Sequence, residues 1–556
     1  MAQVETIKST GAEASNIVEP VNPSQHADTN TQSSPPRLEP LEVEESSQNE
    51  ERVYPTGVKL LSILLALGLS LILTSLDTAV IATAIPSITN HFKTIADVGW
   101  YSSGYRLTSC SFQFMFGKLY TVFSIKKVFL IAVCIFELGS LLCGIAPTSA
   151  ALIFGRVISG LGAAGIISGV FTILAQTIPL RTRSFYAASF AAIEMISDIA
   201  GPLVGGVLTE KLSWRWCFYI ILPMGAITFL FVLIFFDNPR VNADTSLPLK
   251  EKVSRLDLLS SAIFVPSVVC LLLALQWGGT KYGWTDVRII CLFVIFAILL
   301  GAFAWLQKRR QDRAILPPRI ILRRSILAGM WFSFFNNAAL NVFYFYLPIY
   351  FQAVKRVSAA KSGIMTIPMI GASMVAFVLG GSGVSLTGFY TPFMIATSLL
   401  TPISAGLFTT LKINAPPADS IGYQLLLGFG GALGFQAPQI AAQTILAQSD
   451  VPMGIAVVVF AQALGPALSV PLAQTIFTSR LASALENVNP PLNATALDSM
   501  GLSDLSKYIS KEEIVSVLEG YDKSITQTFY LPLALTCLTL IGSLAMEWRS
   551  VKQKTN

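Results

Sequence analysis

The stretch Gly201-Pro202-Leu203-Val204-Gly205-Gly206 lies inside an apolar segment long enough to cross a lipid bilayer. Glycine and proline in the middle of a helix normally destabilise it. Within lipid they are tolerated where neighbouring helices or a cavity cover the loosened backbone. The cluster of Gly201, Pro202, Gly205 and Gly206 therefore predicts a membrane-spanning helix that bends and lets another helix approach closely.

Composition indicates that most of the chain lies in lipid. Of its 556 residues, 53% are hydrophobic and only 13% are charged, whereas soluble domains carry about 25% charged residues. From Val58 onward we count fourteen apolar runs of about 20 residues, the length that crosses a bilayer as a helix. The sequence thus predicts an all-α polytopic membrane protein with fourteen transmembrane helices.

The spans and the polar segments between them divide the chain into five predicted segments. The first 56 residues are rich in Ser, Asn, Gln, Pro and Glu, a composition typical of a disordered tail. The predicted segments are the tail (1–56), a six-helix bundle (57–237), a linker with two inserted spans (238–325), a second six-helix bundle (326–547) with a long outer loop (480–528), and a short tail (548–556).

Charge placement predicts the orientation. Lys and Arg are enriched roughly two to one in the loops on the side of both termini, and such residues favour the cytoplasmic side. We therefore expect both termini in the cytoplasm and a multi-pass protein in the plasma membrane. Asn493-Ala494-Thr495 lies in the long outer loop, so Asn493 is a predicted N-glycosylation site.

Further motifs occur in a fixed order along the spans, namely Leu76-Asp77 followed by Pro86, Arg156 followed by Gly160, Gln276-Trp277-Gly278-Gly279, and Phe460-Ala461-Gln462-Ala463-Leu464-Gly465. Together with the Gly-Pro cluster they resemble the fourteen-span drug:proton antiporter family of the major facilitator superfamily, especially fungal toxin and multidrug efflux pumps. The resemblance implies the major facilitator fold, with spans 1–6 and 9–14 forming two bundles and spans 7 and 8 inserted between them.

The loop after the second span departs from the family pattern. The family usually carries an Asp where this chain has Thr121, and a Gly where it has Ser124. The charge relay attributed to that Asp, which holds the inner gate closed, is therefore in question here.

Ionisable residues within spans are rare and costly, so each is a candidate for function. Glu194 and Asp198 are four residues apart and share one helix face. Because neighbouring carboxylates repel when both are ionised, they suit a site that binds and releases a proton or a substrate. A purely structural pair, capped by Ser197 or by a polar group of another helix, is the alternative.

The resemblance also implies a role in proton transfer for Arg156. A buried Arg does not deprotonate and needs a carboxylate partner, and Asp77 is the candidate because the first and fourth spans are neighbours in this fold. The alternatives are a structural ion pair, and a capping role for Asp77 near Pro86. Arg106, on the second span, is a further candidate for proton or substrate coupling. Glu137 is interpreted as a packing residue.

The second half carries amide and aromatic side chains in place of charges. Asn337, Asn341, Tyr344, Gln436 and Gln462 suit a cavity for a bulky apolar molecule held by a few hydrogen bonds. The predicted function is proton-coupled export of a hydrophobic small molecule, such as a fungal secondary metabolite, toxin or drug, by alternating access. The alternative is a siderophore or nutrient importer of the same superfamily.

Several functions are not expected from the sequence. It has no Walker lysine motif and only two His, so neither ATP-driven transport nor a His-ligated metal is predicted. We expect no enzyme activity, no cofactor beyond the proton gradient and no nucleic-acid partner. The expected partners are the lipid bilayer and a hydrophobic substrate, with the protein as a monomer.

Overall fold

The structure is a computed structural model that describes residues 54–93, 97–237, 248, 252, 256–279, 281–357, 359–485 and 511–552. Most of the predicted disordered tail (1–53) and the predicted glycosylation site Asn493 lie outside the described residues.

The described chain is helical almost throughout. The helices of the first half are α1 (Gly57–Phe92), α2 (Val98–Ser111), α3 (Gln113–Val122), α4 (Ile125–Gly144), α5 (Ser149–Thr177), α6 (Leu180–Lys211), α7 (Trp216–Tyr219) and α8 (Ile221–Phe235). They are followed by α9 (Leu258–Trp277), α10 (Val287–Arg310) and the short α11 (Pro318–Ile321). The second half contains α12 (Arg324–Ala353), α13 (Ala359–Met365), α14 (Ile367–Thr387), α15 (Thr391–Phe408), α16 (Pro417–Leu433), α17 (Ala437–Ile445), α18 (Val451–Leu485), α19 (Lys511–Thr528) and α20 (Tyr530–Ala545).

These apolar segments form helices because lipid offers no partner for a free backbone N–H or C=O group. Polar residues in the connections mark where the helices begin and end. The Thr148 hydroxyl accepts a hydrogen bond from the Ala151 N–H (3.2 Å) at the start of α5. Gly388 ends α14 with a φ of +86°, a left-handed conformation that favours glycine.

Within the described residues, thirteen helical segments are long and apolar enough to cross a membrane. They correspond to all the predicted spans except the second, which is present as two shorter helices, α2 and α3. These meet at Phe112, whose N–H still bonds to the Thr108 carbonyl (3.1 Å), so the helical path is only locally disturbed. The third and fourth spans are joined by a very short connection, because α4 ends at Gly144 and α5 begins at Ser149.

Helix contacts are dense within each half. In the first half α1 packs against α6, and α5 packs against α4 and α2. In the second half α12 packs against α18 and α20, and α14 packs against α16. Contacts between the halves join α6 to α14, and α18 to α3 and α5. The predicted bundle boundaries stay a prediction.

The inserted helices α9 and α10 pack against each other, and α9 also contacts α2 and α18. The Phe264 ring of α9 has its centroid 5.0 Å from that of Phe114 on α3 and 5.6 Å from that of Phe460 on α18. The inserted pair therefore contacts both halves of the molecule.

The described parts of the predicted outer loop, 480–485 and 511–528, are helical. Helix α18 continues to Leu485, and helix α19 extends from Lys511 to Thr528. Val517, Tyr521 and Ile525 recur every four residues and are buried in the core of the second half. This buried stripe accounts for the longer helix.

We call the end of the molecule that carries the connections 123–124, 178–179 and 446–450 the inner end. The outer end carries residue 97 and the connections 145–148 and 409–416. The inner end is the predicted cytoplasmic side.

Candidate functional site

A cavity of about 340 Å³ lies between the two halves. Its polar lining from the first half is Thr74, Ser75 and Thr78 on α1, Tyr105, Arg106 and Ser109 on α2, and Glu194 and Asp198 on α6. Its polar lining from the second half is Asn337, Asn341 and Tyr344 on α12, Gln436 and Gln439 before and on α17, and Gln462 on α18. The cavity thus has a charged wall and a neutral amide wall.

The charged wall consists of Arg106, Glu194 and Asp198. Arg106 and Asp198 are exposed and Glu194 is half-buried, and all three line the cavity. Asp198 interacts electrostatically with Arg106, and Glu194 with Asp198. No hydrogen bond or ion pair of the described chain engages any of the three side chains, so they are available to a proton or to a bound molecule.

Asp77 and Arg156 occupy a second, separate position. Arg156 Nη1 donates to Asp77 Oδ2 at 2.6 Å, and the two side chains are 1% and 0% exposed, respectively. The Arg156 guanidinium also lies 4.5 Å from the centroid of the Tyr105 ring. Tyr105 lines the cavity, whereas Asp77 and Arg156 do not. The five predicted coupling residues therefore fall into two groups, with Tyr105 beside the buried pair.

The buried ion pair is not fully satisfied. Arg156 Nε donates to the Tyr101 carbonyl at 2.9 Å, but Asp77 Oδ1 and Arg156 Nη2 are buried without a hydrogen-bond partner. Buried polar atoms without partners are rare in proteins, and they commonly mark sites of ordered water or of function. One carboxylate oxygen and one guanidinium nitrogen of the pair can therefore still form a hydrogen bond.

Two glycines of the Gly-Pro cluster hold α6 tightly against α1. A Cβ added at Gly201 would lie 2.3 Å from the Ala79 Cβ, and one added at Gly205 would lie 2.4 Å from the Thr83 hydroxyl oxygen. A Cβ at Gly206 would have nothing within 4 Å. The prediction that Gly206 also takes part in this close packing is therefore wrong, because it lies one residue, or about 100°, further round the helix than Gly205.

Pro202 lies within α6 and its side chain is exposed. A proline inside a helix removes one backbone hydrogen bond and crowds the preceding turn. The structure therefore places Pro202 on the outer surface of α6, while Gly201 and Gly205 face α1.

The amide wall contains all five predicted cavity residues of the second half and a sixth, Gln439. Gln439 Nε2 donates to Gln462 Oε1 at 3.1 Å, whereas Gln439 Oε1 and Gln436 Oε1 have no partner. Asn341 Nδ2 donates to the Asn337 carbonyl at 3.0 Å, one turn back on the same helix. The wall therefore offers unused amide groups next to the cavity.

Sequence reasoning missed the hydroxyl residues of α1, namely Thr74, Ser75 and Thr78. Ser and Thr are common in membrane helices because they bond to their own backbone, as Thr78 does to the Ser75 carbonyl at 2.8 Å. Their presence therefore gives no signal of a cavity. Glu137 lies away from the cavity, with its carboxylate against Gly225 of α8.

Contacts between the halves close the cavity toward the inner end. Arg183 Nη1 on α6 donates to Gln443 Oε1 on α17 at 3.0 Å. A Cβ added at Gly117 of α3 would lie 2.6 Å from the Ala456 Cβ of α18, and one at Gly381 of α14 would lie 2.6 Å from the Ser184 carbonyl oxygen. The two halves are therefore in direct contact below the cavity.

In the part of the chain that the structure describes, no three His, Cys, Asp or Glu side chains lie together in a way that could hold a metal ion. The site offers carboxylate, guanidinium, amide and hydroxyl groups.

Residues 67–470 match the sequence model of the Major Facilitator Superfamily. The chain belongs to the major facilitator superfamily. Several fungal members are similar to it over most of its length. The MFS-type efflux pump MFS1 of Trichophyton rubrum is 45% identical over 509 residues, which cover 91% of this chain and 95% of that protein.

Two further relatives of the superfamily also carry export in their names. The efflux pump roqT of Penicillium rubens is 46% identical over 496 residues, covering 89% of this chain and 92% of that protein. The aspyridones efflux protein of Neocamarosporium betae is 41% identical over 512 residues, covering 92% of this chain and 91% of that protein.

Solved structures of the superfamily share the fold. The human organic anion transporter MFSD10 (TETRAN) aligns with a TM-score of 0.54 at 12% identity, covering 86% of this chain and 100% of that chain. The proton:xylose symporter XylE aligns with a TM-score of 0.54 at 16% identity, covering 83% of this chain and 98% of that chain. The all-α, polytopic major facilitator fold predicted from the sequence is confirmed.

Proposed function

We propose that this protein exports a hydrophobic small molecule from the cytoplasm by proton-coupled alternating access, without altering it chemically. The observation that carries the proposal is the cavity of about 340 Å³ in which three unpaired charged groups face a wall of amides. Binding sites for small molecules are typically apolar clefts of about 300–1,000 Å³ with a few well-placed polar groups. The cavity has that size and character.

The charged wall accounts for the proposed coupling of substrate export to proton uptake. Two carboxylates on one face of α6 repel each other when both are ionised, so the site favours uptake of a proton. A bound substrate and a bound proton then compete for Glu194 and Asp198, and each leaves the site on a different side of the membrane. Exchange of the two needs no further energy source.

Contacts at the inner end would close the cavity toward the cytoplasm in this state of the cycle. Arg183, Gln443 and the close approach at Gly117 hold the halves together below the cavity. Opening of this end would expose the same cavity to the cytoplasm, as the alternating-access mechanism requires. The Asp77–Arg156 pair would be the second proton-linked group, beside the cavity.

The substrate class follows from the relatives. The proteins of Trichophyton rubrum and Penicillium rubens are named efflux pumps, and that of Neocamarosporium betae is named for aspyridones. We propose a fungal secondary metabolite or toxin as the natural cargo, and hydrophobic drugs as further substrates. The proposed setting is the plasma membrane, with both termini cytoplasmic and the protein as a monomer.

Efflux of a panel of hydrophobic fluorescent dyes from cells that express the protein tests the proposal. Dye export that stops on addition of a protonophore and is lost in Asp198→Asn supports proton antiport through the cavity. Asp419→Asn is the matched control, because Asp419 lies in the first turn of α16 at the outer end and does not line the cavity. Export that persists without a proton gradient would contradict proton coupling.

A further inference from the structure

Residues 314–316, which we call the strap, form a buried non-helical segment at the inner end, between α10 and α11. Pro317 and Pro318 follow the strap, and a residue that precedes proline favours an extended conformation. Extended backbone cannot pair its own N–H and C=O groups, so within the core these groups need partners from elsewhere. The side chains that bind the strap therefore show which parts of the molecule it connects.

The inserted helices α9 and α10 supply two of these partners. Asp257, the residue before α9, accepts a hydrogen bond from the Ile315 N–H at 3.2 Å. Gln307 on α10 accepts one from the Leu316 N–H at 3.0 Å. Asp257 is buried and also forms an ion pair with Arg310 at the end of α10. The inserted pair thus fixes the conformation of the strap.

The first half contacts the strap through Lys118 on α3. This lysine is buried, and its Nζ donates a hydrogen bond to the Ala314 carbonyl at 3.0 Å. The residue before it, Gly117, lies directly against Ala456 of α18. Lys118 therefore binds the strap next to the place where the two halves meet.

The second half is joined to the strap through α11, which follows it in the chain. Arg319 on α11 forms a bidentate ion pair with Asp450, the residue before α18, and its Nη2 lies 3.0 Å from Asp450 Oδ1. Just after α11, Arg323 donates to the carbonyl of Ile445, the last residue of α17, at 2.7 Å. The strap is therefore anchored to the second half, and Lys118 binds it from the first.

Apolar contacts reinforce this position. Ile315 and Leu316 belong to one buried apolar core together with Phe116 of α3 and Met453 of α18. Opening of the inner end would separate α3 from α18, and the strap cannot then keep both sets of contacts. The second-half side has a bidentate ion pair and a direct chain connection to α12. The bond from Lys118 is thus the one that opening breaks.

We propose that the inserted helices α9 and α10 lock the inner end by holding the strap in the conformation that Lys118 binds. This inference rests on the proposed alternating access. Release of Lys118 from the Ala314 carbonyl lets the halves separate, and the strap moves away together with the second half. The inserted pair thereby sets how readily the cavity opens toward the inner end.

A purely structural role for Lys118 makes a different prediction. Loss of a buried hydrogen bond lowers stability in either case, but only a lock changes the separation of the halves. Lys126 offers the matched control, because its Nζ also donates to a backbone carbonyl at the inner end, that of Leu233 at 2.7 Å. That bond joins α4 to α8 within the first half.

Spin labels on the purified full-length protein in lipid report the movement by pulsed electron resonance. The labelled positions are Thr182→Cys in the first half, Arg313→Cys beside the strap and Lys552→Cys in the second half, all at exposed residues. They are combined two at a time, in a protein whose exposed native cysteines are replaced by Ser. Thermal melting and size-exclusion profiles check that each variant folds.

We expect Lys118→Met to raise the ratio of open to closed inner ends by about tenfold, because a hydrogen bond from a charged donor contributes at least that factor to an equilibrium. In the open population the distance between the labels at Thr182 and Arg313 should lengthen. The distance between the labels at Arg313 and Lys552 should stay as in the closed population. Lys126→Met should leave both distance distributions unchanged.

The contribution of the inserted pair is tested separately. Asp257→Asn weakens the hold on the strap, so it should also favour opening. Added to Lys118→Met it should have little further effect, since both changes act through the same contact. If Asp257→Asn does not fold, Gln307→Met removes the other acceptor and provides the same comparison.

Unchanged label distances in Lys118→Met would overturn the lock, and so would equal opening in Lys126→Met. Full additivity of the two changes would overturn the role of the inserted pair. A lengthened distance from Arg313 to Lys552 would show that the strap leaves the second half, contrary to the proposal. Failure of the proposed function is a separate result, because it would appear as dye export that survives a protonophore, whatever the label distances.

Discussion

The two buried partners Asp77 and Arg156 depend on each other, because each would be a bare charge in a low-dielectric interior without the other. The 2.6 Å contact between Arg156 Nη1 and Asp77 Oδ2 satisfies one side of each group only. A residue pair that is well placed but incompletely bonded suits a site whose protonation changes during a cycle.

Asp77→Asn should therefore lower the free energy of unfolding by about 3–5 kcal/mol, because it leaves the Arg156 charge buried and unpaired. Thermal melting of the purified protein measures the loss. The double variant Asp77→Asn/Arg156→Gln should recover most of the stability but not the transport. A single variant as stable as the wild type would mean that the two side chains are not an ion pair.

A second prediction for single residues concerns the amide wall of the cavity. Gln439→Leu should raise KM for an exported dye about fivefold with little change in the maximal rate, since one neutral hydrogen bond contributes about 1 kcal/mol. Concentration-dependent dye transport in proteoliposomes gives both parameters. Gln424→Leu is the control, because buried Gln424 bonds to the Ser420 carbonyl away from the cavity. Equal effects of both changes would assign Gln439 to packing alone.

At the scale of helices, the contact of α1 with α6 depends on two small residues one turn apart. Gly201 and Gly205 bring the α6 backbone against Ala79 and Thr83, leaving no room for a methyl group. Small residues are the usual basis of close helix packing in membranes, where no hydrophobic driving force holds helices together. The glycines that elsewhere weaken a helix here allow it to pack.

Gly201→Ala and Gly205→Ala should both reduce thermal stability and dye export, because each added methyl would overlap atoms of α1 and force the helices apart. Gly206→Ala offers a matched control one residue away. It should keep activity and gain up to about 1 kcal/mol in stability, the difference between glycine and alanine within a helix. Equal losses at all three positions would mean that backbone flexibility, and not packing, is what the cluster provides.

At the scale of the whole molecule, the contacts at the inner end decide which side of the cavity is closed. Thr121 stands where the family usually has an acidic residue, yet the halves still meet. Arg183, 4% exposed, donates to the Ala175 and Ile178 carbonyls of the first half and to Gln443 of the second. One side chain thus links the two halves.

Arg183→Leu should weaken the inner closure and raise the population of the inward-facing state. Spin labels at Thr182→Cys and Ser449→Cys, two exposed inner-end positions, report the separation of the halves by pulsed electron resonance. The exposed native cysteines Cys134, Cys291 and Cys537 are first replaced by Ser.

The label distances should lengthen in Arg183→Leu. They should stay as in the wild type in Arg181→Leu, since the Arg181 side chain is exposed. An unchanged distance distribution in Arg183→Leu would assign Arg183 to the stability of α6 and not to closure of the inner end.

The sequence by itself determined the membrane class, the helical crossings and the superfamily. Lipid offers no hydrogen-bond partner to the backbone, and a helix pairs its own N–H and C=O groups. An apolar run that is long enough to cross the membrane therefore forms a helix. Only the predicted second span is not one continuous long helix in the described chain, because α2 and α3 meet at Phe112. The amide residues of the cavity were also accessible to sequence reasoning, since several polar side chains within apolar spans need a common polar environment.

Only the tertiary structure decided which side chains share a space. Tyr105 and Arg106 are neighbours in the chain, yet Tyr105 stacks on the buried Arg156 while Arg106 is exposed in the cavity. Gly205 and Gly206 differ in the same way, one against α1 and the other in open space. Successive residues point about 100° apart around a helix. The rotation of each helix about its own axis therefore assigns every side chain to its surroundings, and that rotation is fixed by packing between helices distant in sequence.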